Sequence, residues 1–112
     1  MKTAELTGWS LDWAVAKAQD LPEAADRKYF ALIPRYSYAW SQGGPLIDRE
    51  FISTVYDNDY GIWLAAKNVP AQSMFGFGGD FYQEGPTRLI AAMRAYVVSK
   101  LGEEVDVPEE LS

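Results

Sequence analysis

Two short segments share the order Gln-x-Gly-Pro: Gln42-Gly43-Gly44-Pro45 and Gln83-Glu84-Gly85-Pro86. The chemistry such a segment offers is anion recognition. Glycine lets the backbone approach a ligand closely, and proline presets the first helical turn. A helix start leaves N–H groups unpaired and carries partial positive charge, which suits a phosphate. Arg49 follows the first segment, and Thr87 and Arg88 follow the second, adding hydrogen-bond donors. Rings crowd the same places. Tyr36, Tyr38 and Trp40 precede the first segment; Phe75, Phe77, Phe81 and Tyr82 precede the second. Such rings can stack a base or another planar ligand while helix starts hold its phosphates. The candidate ligand-binding set is therefore Trp40, Gln42, Gly43, Gly44, Arg49, Gln83, Gly85, Thr87 and Arg88. The competing reading is plainer: Gly-Pro starts helices, and rings fill a small core. A P-loop is excluded, because its Gly-Lys-Ser/Thr ending is missing.

Other reactive chemistry is sparse. The chain has no histidine and no cysteine. This removes the commonest general base, the commonest zinc ligand, thiolate metal sites, disulfides and a cysteine nucleophile. Asp57-Asn58-Asp59 offers hard oxygen ligands but lacks the glycine and glutamate of an EF-hand loop, so it reads as a turn. Asp48 and Glu50 have no nucleophile or metal cluster to work with. The expectation is a binding protein, not an enzyme, with no catalytic residue, no metal and no cofactor.

Charge narrows the partners. Ten Lys and Arg stand against 16 Asp and Glu, a formal net charge of −6. Duplex nucleic acid would repel such a surface, and no basic run offsets it. No apolar stretch is long enough for a bilayer, and the first residues lack the apolar middle of a signal peptide, so no membrane is expected. The same acidity allows a second function: a host-protein binder that occupies the basic surface of a host or phage nucleic-acid enzyme.

The elements that must position these residues fit one small domain, 1–112, of α+β class, with about three helices and a short, mainly antiparallel sheet. The 112 residues are 48% hydrophobic and 23% charged, as in an ordinary globular domain. A first helix is expected over about 7–21, apolar on two opposed sides: Leu11, Ala14, Val15 and Ala18 on one, Trp9, Trp13 and Ala16 on the other. Tyr29–Ile33 reads as a buried strand or packed loop, and Tyr36–Trp40 as strand or aromatic loop. A short helix is expected at about 45–52, led by Pro45. Val55-Tyr56 and Tyr60–Ala66 read as two strands around a turn, and Asp80–Tyr82 as an edge strand. The strongest helix, about 86–101, carries Leu89, Ile90, Met93, Val97 and Leu101 on one stripe and the small residues Ala91, Ala95 and Ser99 on another, with Gly102 as its end. The small stripe serves close packing inside the fold or in a homodimer. The acidic tail 103–112 reads as solvated, or as pinned by Val105, Val107 and Leu111.

Several unusual segments occur together and in order: Leu11-Asp12-Trp13-Ala14-Val15-Ala16-Lys17, Trp40-Ser41-Gln42-Gly43-Gly44-Pro45-Leu46-Ile47, Gly85-Pro86-Thr87 with Leu89-Ile90-Ala91-Ala92-Met93-Arg94, and Lys100-Leu101-Gly102-Glu103-Glu104-Val105-Asp106-Val107-Pro108. In these the chain resembles the NinX family of small tailed-phage proteins. The resemblance covers most of the chain and is weakest over 51–81. It implies a phage or prophage origin and expression in the cytoplasm of the host bacterium. It supplies no catalytic residues. Joined to the residue chemistry, it leads to an expected phage accessory protein that sequesters an anionic, nucleotide-like small molecule such as a host-defence signal.

Overall fold

A computed structural model describes residues 1–70 and 79–112. The expected glycine-bearing stretch around Phe75 and Phe77 lies outside the described residues. Three α-helices, α1 (Gly8–Ala18), α2 (Trp40–Arg49) and α3 (Arg88–Leu101), accompany three strands, β1 (Ile52–Asp57), β2 (Ile62–Lys67) and β3 (Asp80–Gly85). The strands form one antiparallel sheet in the order β1-β2-β3. The class is α+β, as expected from the sequence.

Helix α3 is the central element, packed along the sheet and touching α1 and α2. Its N-cap is Thr87, whose Oγ1 accepts a hydrogen bond from the Ile90 N–H at 3.1 Å, and Gly102 ends it. Leu89, Met93 and Val97 are buried, but so are Ala91, Ala92 and Ala95. The small-residue stripe is thus consumed within the fold: an added Cβ on Gly85 would stand 2.6 Å from the Ala91 nitrogen. Burying Leu89, Met93 and Val97 stabilises the domain by about 1.5–3 kcal/mol per side chain.

Helix α1 is buried on both of its apolar sides from Ser10 to Ala16, with Trp9 left partly exposed. Ser10 Oγ accepts from the Thr7 N–H and donates to the Thr7 carbonyl, closing the start of the helix. Asp12 sits in this buried run with no exposure. It accepts from Arg35 Nε at 2.9 Å and from the Ser37 N–H at 2.8 Å. An ionised carboxylate tolerates burial only when so matched.

Several elements differ from the sequence reading. Helix α2 begins five positions before Pro45 and carries that proline in its interior. The proline leaves the Ser41 carbonyl without an intrahelical donor, and Ser41 is exposed, so solvent can serve it. Glu50 ends the helix and Phe51, at φ +53°, reverses the chain, so β1 begins at Ile52. Of the two readings for Tyr29–Ile33 the strand is excluded: Arg27–Leu32 form a 3-10 segment with no buried residue, and only Ile33 after it is buried. Strand β3 runs on to Gly85 and holds one residue more than β2 between paired positions, where Phe81 adopts φ +60°.

The acidic tail is pinned. The Met1 ammonium donates to the Val105 carbonyl, Thr3 Oγ1 donates to the Gly102 carbonyl at 2.7 Å, and Val105 is buried with Val107 and Leu111 against the core. The Asp57-Asn58-Asp59 turn forms as read, with Asp57 Oδ1 accepting from the Asp59 and Tyr60 N–H groups. None of the helices in the described residues is long and apolar enough to cross a membrane.

Candidate functional site

The openings of α2 and α3 meet. A small hollow of about 190 Å³ is lined by Ser37, Tyr38 and Trp40 at the start of α2 and by Thr87, Arg88, Leu89 and Ile90 at the start of α3. Both helix N-termini therefore border one hollow, and each carries partial positive charge. Trp40 and Arg88 also wall a larger groove of about 480 Å³, which runs past Gly44, Pro45, Ile47 and Asp48 to Thr54 on β1. The two concavities share the Trp40–Arg88 wall.

The side chains in that wall are held by each other. The Arg88 guanidinium lies 4.6 Å from the Trp63 ring and 5.9 Å from the Trp40 ring. Trp63 comes from β2, where it pairs with Tyr56 across the ladder and against its ring, 5.3 Å between centroids. Among the described residues no carboxylate lies within ion-pair distance of Arg88, so its charge is available to a ligand. Trp40 is 52% exposed, a large value for a tryptophan. A second guanidinium, that of Arg35, lies 3.9 Å from the Trp9 ring and 4.3 Å from that of Tyr38, and Asp12 fixes its position. The face is therefore aromatic and arginine-rich on a protein that is acidic overall.

The sequence-predicted set divides. Trp40, Gly44, Thr87 and Arg88 come together around these two hollows. Gln42 is exposed on α2 and lines neither of them. Gly43 is buried for packing: an added Cβ would stand 2.3 Å from the Tyr36 carbonyl oxygen and 2.8 Å from Leu89 Cδ2. Arg49, at the far end of α2, donates to Gln19 and lies 3.4 Å from Glu50. Gln83 and Gly85 belong to β3 and line a separate hollow. The picture of two proline-led helix starts is corrected: Pro45 is inside α2, and Pro86 precedes the cap of α3. What converges is the pair of helix starts at Trp40 and Arg88. Sequence reading missed Trp63 and Arg35. The alternation of Ile62 and Leu64 with Trp63 in a strand is the signal that sets that ring on the opposite face from its neighbours.

Among the described residues no group of three or more carboxylates could hold a metal ion. The arrangement is suited to binding a small anion with a flat portion: cations and helix starts for the charge, rings for the plane.

A small α+β domain with this ring-and-arginine cleft matches, over residues 2–100, the model of the family described as bacteriophage P22 NinX. The chain belongs to the NinX family of phage proteins. No curated protein matches it.

Proposed function

We propose that this chain is a phage accessory protein that works by binding, not catalysis, and that its ligand is an anionic, nucleotide-like small molecule. The observation that carries this is the shared hollow at the starts of α2 and α3, walled by Trp40 and by an Arg88 with no ion-pair partner among the described residues. The phosphate would sit between the helix starts and accept from Arg88, while the base stacks on Trp40 along the larger groove. Asp48, on that groove's wall, would accept from an amino or hydroxyl group and would disfavour a bare polyanion. A phage could use such a protein to sequester a host-defence signal in the bacterial cytoplasm.

Calorimetric titration with nucleotides and cyclic nucleotides tests this. The expected result is one ligand class bound by the wild type, with Arg88→Ala costing about 1.5–3 kcal/mol, the worth of a charge-assisted hydrogen bond. A folded protein that binds none of them overturns the proposal.

A second reading is an acidic inhibitor of a nucleic-acid enzyme. Its support is the exposure of Phe51 (83%), Tyr60 (80%) and Tyr38 (60%), ring types that anchor protein interfaces. A stoichiometric, salt-sensitive protein partner recovered from host lysate, together with empty nucleotide titrations, would favour it over the first.

A further inference from the structure

The two edges of the sheet differ. β3 is interrupted by the extra residue beside Phe81, whereas β1 keeps six consecutive partners on β2 without a shift. On the other side of β1, Ile52 to Tyr56 take part in no backbone hydrogen bond among the described residues. The strand contains no proline, lysine or arginine, and its one charge, Asp57, stands at the end. The usual guards of a free edge are therefore missing from β1.

Helix α2 flanks that edge. It packs on α3 and meets the sheet chiefly at β1. Trp40, Gly44 and Ile47, at spacings of four and three, put one stripe of α2 on the larger groove, with Thr54 of β1 across from it. The chain reverses at Phe51, so α2 and β1 run in opposite directions. From Arg49 back to Gly44 the helix rises about 7.5 Å. From Ile52 forward to Thr54 and Val55 the strand advances about 7–10 Å, so mid-helix and mid-strand stand level. Two charges mark the ends of the groove: Arg88 beside Trp40, and Asp48 four residues beyond Gly44. Neither has an ion-pair partner among the described residues.

A two-fold axis at the level of Gly44 and Thr54–Val55 makes this surface complementary to itself. β1 pairs antiparallel with its own copy, and Asp57 meets the partner's Ser53 or the partner's Phe51 instead of another carboxylate. α2 runs antiparallel beside α2 of the second copy. Trp40 and Asp48 are each four residues from Gly44, so Asp48 comes to the end of the groove that holds the partner's Arg88. Two charges that are unpaired in the single chain are then matched twice.

We propose that two copies of this chain join through β1 and α2 into a two-fold dimer with one continuous six-stranded sheet, Asp48 of each copy opposite the partner's Arg88. The joined sheet has the interrupted β3 at both of its edges, so assembly stops at two. The dimer does not depend on the nucleotide reading. The two meet only at the larger groove, which the dimer closes, so a ligand seated there favours the single chain.

Sedimentation of the full chain without nucleotide, from about 5 µM to about 1 mM, tests this. The expected result is a reversible monomer–dimer equilibrium, with amide exchange at 52–56 slowing as the dimer forms. Val55 is 41% exposed, and Val55→Lys should weaken the dimer at least about fivefold by setting like charges close to the axis. Asp48→Arg should weaken it about tenfold. The double variant Asp48→Arg/Arg88→Asp should recover it to within about threefold, which a misfolded protein would not do. A single chain at every concentration, a dimer indifferent to Val55→Lys, a charge exchange that restores nothing, or assemblies that grow past two overturn the proposal.

Discussion

Gly43 and Gly44 are adjacent in α2, yet alanine should act on them in opposite directions. In a helix interior alanine is favoured over glycine by about 1 kcal/mol, and this gain applies at both positions. At Gly43 the new Cβ would stand 2.3 Å from the Tyr36 carbonyl oxygen and 2.8 Å from Leu89 Cδ2. The first contact is with backbone, so α2 itself must retreat by about 1 Å from the turn before it. Overpacking of this kind costs about 1–3 kcal/mol, and contact with backbone puts it at the upper end. The balance for Gly43→Ala is a loss of about 2 kcal/mol. At Gly44 the Cβ would meet only the Trp40 ring edge, at 3.3 Å, and that half-exposed side chain can yield. Gly44→Ala should be neutral or stabilising by up to about 1 kcal/mol. Paired urea melts measure the difference, which is expected to be about 2–3 kcal/mol with an unchanged denaturant slope. Equal effects at the two positions would refute the view that Gly43 is a packing residue and return it to the ligand site.

Two further outcomes follow from the polar groups. Asp12→Asn should lower stability by about 2–3 kcal/mol in the same melts, because it weakens the charged bonds from Arg35 and the Ser37 N–H at a position without solvent; a change below about 0.5 kcal/mol would count against it. Burial pushes the Glu50 carboxyl upward, but the Lys67 hydrogen bond and the charges of Lys67, Lys100 and Arg49 outweigh it and hold the group below the ordinary carboxylate range. The stability this provides is complete above the unfolded value, about 4.3, and fades as pH falls through the lower folded value. The wild type should therefore exceed Glu50→Gln by a constant margin of about 1 kcal/mol above about pH 6, a margin that shrinks in acid; a margin that widens on acidification would contradict the assignment.

Helix α3 was legible because local signals agree with its packing: a cap at Thr87, an unbroken apolar stripe and a stop at Gly102. Helix α2 was misplaced because Pro45 satisfies the rule for a first turn equally well, and only the solvent-facing Ser41 carbonyl makes an interior proline tolerable. Nothing in the local pattern marks Asp12 or Arg94 as buried. Their burial depends on partners 23 and 88 positions away, Arg35 and Leu6, and no local pattern encodes such pairing. The convergence of Trp40 with Arg88 has the same character. Residue types nominated both, while the meeting of two helix starts is a property of how α2 and α3 pack. Gln83 and Gly85 belonged to the same motif but to a strand that faces another hollow.

The extra residue of β3 also bears on how the protein behaves when abundant. An outermost strand with a full row of vacant N–H and C=O groups invites a second molecule to add its own strand, and then a third. With Phe81 at φ +60° the row along β3 is broken, and no straight partner can pair along its whole length. The local irregularity makes β3 a poor template for an added strand and leaves β1, regular along its length, as the edge where a further strand could pair.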